Sequence, residues 1–73
     1  MKTTITIKKT WSGVMKGTEM TYPQYEFIMN LMNDENMVGW DFPSASQARK
    51  QIDKYDASEI IDTLKKGGSV EIV

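Results

Sequence analysis

Three copies of one helix-start spacing govern what this chain can fold into. Thr21 with Gln24, Ser44 with Gln47, and Asp56 with Glu59 each set a short oxygen-bearing side chain three residues before Gln or Glu. At that spacing the first side chain accepts from the N3 backbone N–H, and the second reaches back to the N-cap N–H. Asp56 is a good N-cap residue, although it lies outside the Ser/Thr form of the box. Three helices therefore have defined starts.

Apolar spacing fills them in. The first helix is predicted over about 22–33. Pro23 falls in the first turn, where its missing N–H costs nothing. Tyr25, Ile28, Met29 and Met32 make a core-facing stripe, widened by Phe27 and Leu31. The second is predicted over about 45–54, with Ala48, Ile52 and Tyr55 inward and Arg49, Lys50 and Lys54 toward solvent. The third, over about 57–66, carries Ala57, Ile60, Ile61 and Leu64 on one face. Tyr55 and Ile60 would form its hydrophobic staple. Lys65 and Lys66 suit the negative end of its dipole, and Gly67-Gly68 stops it.

The ends of the chain read as strands. Ile5, Ile7 and Trp11 share one face at period two, and Thr4, Thr6, Lys8 and Thr10 the other. Ser12-Gly13 is a turn signal, with Val14-Met15-Lys16 as a short return strand. Val70, Ile72 and Val73 mark a final strand that pairs with residues 3–9. The expected fold is α+β: a small antiparallel or mixed sheet, built from an N-terminal strand or hairpin (about 3–16) and a C-terminal strand (69–73), with the three helices on one face. The 73 residues make a single small domain.

Composition narrows the chemistry. With no Cys there is no disulfide or thiolate, and with no His the commonest general base and transition-metal ligand are missing. Glu59 and Asp62, three apart on a helix, read as a capping residue and a solvated acid. Asp34, Glu35 and Asp41 lack the EF-hand pattern, and neither Ser12-Gly13 nor Gly67-Gly68 sits in a phosphate-loop motif. The expectation is a non-enzymatic protein with no catalytic, cofactor or metal residues. No apolar run spans a bilayer and no signal-peptide core follows Met1, so a soluble cytoplasmic protein is expected.

Binding is the remaining class. Net charge is −1, but the charge is segregated. Lys2, Lys8, Lys9 and Lys16 occupy the first sixteen residues without an acid, while Glu19, Glu26, Asp34, Glu35 and Asp41 follow without a base. Either the basic strand packs near the acidic helix, or the dipole steers a charged partner. Trp40 and Phe42, two apart in the apolar loop 37–43, either close the core as a lid or anchor a protein partner. Trp11 or Trp40 with the lysines would serve a nucleic-acid reading, with the buried-face position of Trp11 favouring core packing. The exposed strand either docks a partner by strand addition at its edge, or its lysines discourage that pairing.

From Thr21 onward the chain resembles a small helical module of phage and mobile-element proteins and of short domains of unknown function. Its pattern is T-x-x-Q-x-x-x-I-x-x-L, then K-x-[DE]-A-S-x-x-I-D-x-L. Here it is carried by Thr21, Gln24, Ile28 and Leu31, and by Lys54 through Leu64. Ser44 to Asp53 adds a helix between the two parts, and the strands lie outside the module. The resemblance implies phage or mobile-element origin, an accessory role near recombination or single-strand DNA, and no catalytic residue to carry over.

The function expected is thus a small binding or accessory protein acting through protein–protein contacts, with Lys8, Lys9, Trp40 and Phe42 at the contact. One alternative is an inhibitor of a host defence protein, anti-CRISPR-like, whose acids Glu26, Asp34, Glu35 and Asp41 mimic nucleic acid. The other is an accessory nucleic-acid-binding protein.

Overall fold

A computed structural model describes residues 3–73; Lys2, part of the basic segment, lies outside them. The order is β1 (Thr4–Ile7), α1 (Tyr22–Leu31), β2 (Met37–Val38), α2 (Ala45–Gln51), α3 (Lys54–Lys65) and β3 (Ser69–Ile72). The fold is of the α+β class, but the sheet corrects the expectation: its three strands, in the order β1-β3-β2, are all parallel. Parallel neighbours need crossover connections, which helices supply. One crossover is α1 and the other is the α2–α3 pair.

The return strand expected at Val14–Lys16 does not form. Instead, residues 8–20 make a strap that docks on α2. Thr10 N–H donates to the Gln51 carbonyl (3.0 Å), Val14 N–H to Lys50 (2.8 Å) and Met20 N–H to Ile52 (3.1 Å). A helix leaves its last carbonyls unpaired, so the C-terminal end of α2 is where a passing strand of chain finds acceptors. Sheet alternation therefore ends before Trp11, which is 75% exposed rather than packed in the core. The second strand of the sheet comes instead from Met37–Val38, inside the segment expected to be a loop.

The helix starts explain the rest. Thr21 and Gln24 form the full capping box, with reciprocal bonds of 3.2 and 3.0 Å. Gln24 Nε2 also donates to the Lys54 carbonyl (3.2 Å), tying the start of α1 to the start of α3. α1 ends at Leu31 because the Asn33 side chain accepts from the Glu35 and Asn36 N–H groups, while Asn36 Oδ1 accepts from Asn33 N–H. Ser44 caps α2 by accepting from Gln47 N–H.

For α3 the cap is Asp53, not Asp56: its carboxylate accepts from Asp56 N–H at 2.7 Å. This shift shortens α2 to Gln51 and moves the staple positions to Ile52 and Ala57, both fully buried. Tyr55, expected inward, is 64% exposed. At the far end Gly67 N–H donates to Leu64 and Gly68 N–H to Thr63, a Schellman stop that needs the positive φ of Gly67.

The core lies between the helices and one face of the sheet. Ile7, Met37, Val70 and Ile72 supply the sheet side; Ile28, Ala48, Ile52, Ala57, Ile60 and Leu64 the helix side; Met20 enters from the strap. Thr4, Thr6, Val38 and Glu71 face solvent on the other side. At Gly39 the chain leaves β2 so close to β3 that a Cβ would collide with the Ile72 carbonyl oxygen.

Asp56, left inside the first turn of α3, has its carboxyl pushed above the ordinary 3.8 by burial first, then by the Asp53 and Glu59 carboxylates. The folded state therefore holds this proton more tightly than the unfolded chain. That contribution is present at low pH and is lost as pH rises through the raised folded value. Asp56→Asn should melt higher than the parent at neutral pH, and the gap should close as pH falls below the ordinary carboxylate range. Melting curves across that range check it; a gap that does not change with pH would contradict it.

Candidate binding surface at the carboxyl ends of the strands

Because β1 and β2 point the same way, the segments that follow them emerge at one end of the sheet. The strap starts there after Ile7, the 39–44 loop starts there after Val38, and α1 begins its return there. In open parallel sheets this carboxyl end is the usual place for a ligand, since the connecting loops gather at it.

A chain of aromatic rings runs across this end. Tyr22 and Tyr25 are 6.0 Å apart between centroids, Tyr25 and Trp40 6.4 Å, and Trp40 meets Phe42 edge-on at 4.9 Å. Tyr25, Trp40 and Phe42 are half-buried and pack against the core. Beyond Phe42 the ribbon continues through a cation. Lys9 Nζ lies 6.0 Å from the Phe42 centroid and 4.5 Å from that of Trp11. Lys9 is held there by its backbone, whose N–H donates to the Val73 carbonyl at 2.9 Å. Trp11 sits in a tight turn closed by Gly13 N–H on the Thr10 carbonyl (2.9 Å). One large ring is thus presented to solvent on a short, pinned turn, with a lysine against it.

The structure gathers three of the four residues expected at the contact: Lys9, Trp40 and Phe42 share this ribbon, and exposed Lys8 is the next residue along the chain from Lys9. The acidic residues come from different elements. Glu26 lies on α1, Asp34 and Glu35 in the turn before β2, and Asp41 after it. Among the described residues no three carboxylates gather as a metal site requires, and no helix is long and apolar enough to cross a membrane.

Two features escape the sequence pattern. One is Trp11, and a signal for it exists: Lys9 occupies the inward parity between Ile7 and Trp11, which breaks the buried face. The other is a basic cleft beside the Trp11 turn, where Lys16 from the strap meets Arg49 and Lys50 from α2. No sequence spacing links those positions, because the contact is made by the strap folding back. Comparison of the chain with protein-family models, with curated proteins and with solved structures finds no match.

The ribbon divides into a packed part and a presented part. Trp40→Ala should destabilise by about 2 kcal/mol or more, because it removes a half-buried ring from the edge of a small core. Trp11→Ala should stay within about 1 kcal/mol of the parent, losing only an exposed cation–π contact. Urea unfolding of both variants checks the division; equal losses would remove the distinction.

Proposed function

We propose that this chain is a non-enzymatic binding protein of phage or mobile-element type, working in the host cytoplasm through protein–protein contacts at the carboxyl-end face. The observation that carries the reading is Trp11, 75% exposed on a pinned turn beside Lys9. Tryptophan is enriched among the residues that dominate interface energy because a large rigid ring buries much area at little entropy cost. Half-buried Trp40 and Phe42 supply a firm apolar floor next to it, and Lys8 and Lys9 a positive rim. Asp41 stands beside Phe42 in the chain, and an acid next to the apolar floor suits a protein surface better than a continuous phosphate track. The phage or mobile-element part rests on the helical pattern from Thr21 to Leu64.

A second reading, accessory binding of single-stranded nucleic acid, draws support from the pairing of Lys9 with an exposed ring, since base stacking and phosphate neutralisation use those two groups together. The inhibitor reading draws less support, because its acids lie on separate elements.

Affinity capture from lysate of the organism that encodes the chain, with and without nuclease treatment and with the parent and Trp11→Ala side by side, tests the first reading. A protein retained by the parent and lost from the variant is the expected result. Capture that is indifferent to Trp11 would refute the reading, and retention that disappears on nuclease treatment would move the weight to the second.

A further inference from the structure

Beside the Trp11 turn, three cationic residues and one acid share a cleft, which leaves it with an excess of positive charge. Lys16, Arg49 and Lys50 line a cleft of about 370 Å³, together with Gly13, Val14 and Ser46. Glu19 is the one acid of the lining, and one of its carboxylate oxygens accepts from the Gly17 N–H, so three cations face a single carboxylate. Among the described residues the ion pair that forms is elsewhere, between Lys66 and Asp62 on α3. None of the three cations therefore has a carboxylate within ion-pairing distance.

The cleft is also fixed in shape. Arg49 Nε donates to the carbonyl of fully buried Met20 at 2.7 Å. That bond orients the guanidinium and uses one of its five N–H donors, so the terminal nitrogens keep their fork. The opposite wall is held by Val14 N–H on the Lys50 carbonyl. With three cations against one carboxylate the cleft keeps an excess of positive charge, which an anion placed there would balance. A planar fork, two mobile ammonium groups and the Ser46 hydroxyl match an acceptor with three or more oxygens spread in space. A carboxylate, with two oxygens in one plane, would satisfy the fork alone.

We propose that this cleft is a phosphate-binding site, filled by the phosphate of a free nucleotide or of a nucleic-acid single strand. It is separate from the protein capture assigned to Trp11. Removing Trp11 should leave phosphate binding intact, and removing Lys16 and Lys50 should leave protein capture intact, so either proposal can fail without the other.

The test is amide NMR of the full chain at constant ionic strength, exchanging chloride for inorganic phosphate. Saturable shifts confined to Gly13, Val14, Ser46 and Lys50 are expected. The exposed double variant Lys16→Ala/Lys50→Ala should bind at least about tenfold more weakly, as expected when charge-assisted bonds are lost. Arg49→Lys, which keeps the charge but not the fork, should also weaken binding. Unchanged spectra far from the cleft verify folding in each case. Thymidine monophosphate and a short oligothymidylate then separate the sources: equal affinity points to a free phosphomonoester, and tighter, salt-steep binding of the oligomer to a strand. Absence of saturation, equal shifts at Lys65 and Lys66, or equally tight binding of an oligoglutamate would each overturn the phosphate assignment.

Discussion

The parallel pairing of β3 with a neighbour on each side is the constraint on which the rest of the structure depends. Ser69 and Val73 N–H groups donate to Thr3 and Ile7 on the β1 side, and Val70 N–H to Asn36 on the β2 side. A central strand bonded both ways forces each connection to cross the sheet and return to the same end. Those crossings place the helices against the face that carries Ile7, Met37, Val70 and Ile72. They also leave the loops after β1 and β2 together at the carboxyl ends, where both candidate binding features lie.

The strap converts that arrangement into two distinct surfaces. Its hydrogen bonds to the Lys50, Gln51 and Ile52 carbonyls satisfy the end of α2, and Met20 anchors it in the core. Either side of those anchors, side chains are free to act outward. Trp11 and Lys9 face the aromatic ribbon, while Lys16 is brought to Arg49 and Lys50. A segment with little secondary structure is thus held by backbone bonds to other elements, which is the condition for presenting side chains in fixed positions.

Much of the architecture was legible because it is local. Capping oxygens at Thr21 and Ser44, the helical stripe through Ile28, and the glycines after Lys66 act within a few residues, and helix positions follow from them. Asp53 and Asp56 show the limit of such signals. Asp56 has the box spacing to Glu59 and Asp53 does not, yet Asp53 is the cap, with Ile52 and Ala57 buried at the staple positions that follow from it, a tertiary effect. Strand direction was not legible, because Ile5 and Ile7 alternate identically in parallel and antiparallel sheets. Lys9, Trp40 and Phe42 could be singled out as a group from sequence. Their union with Trp11, and that of Lys16 with Arg49 and Lys50, depends on where the strap folds back.

The central claim is the parallel, two-sided bonding of β3, and solution NMR of the chain tests it most directly. The account predicts slowly exchanging amides at Val70 and Val73, with cross-strand contacts placing Ile5 and Met37 both beside Val70. Close Hα–Hα contacts between residues 4–7 and 69–72, the mark of an antiparallel pair, would contradict it.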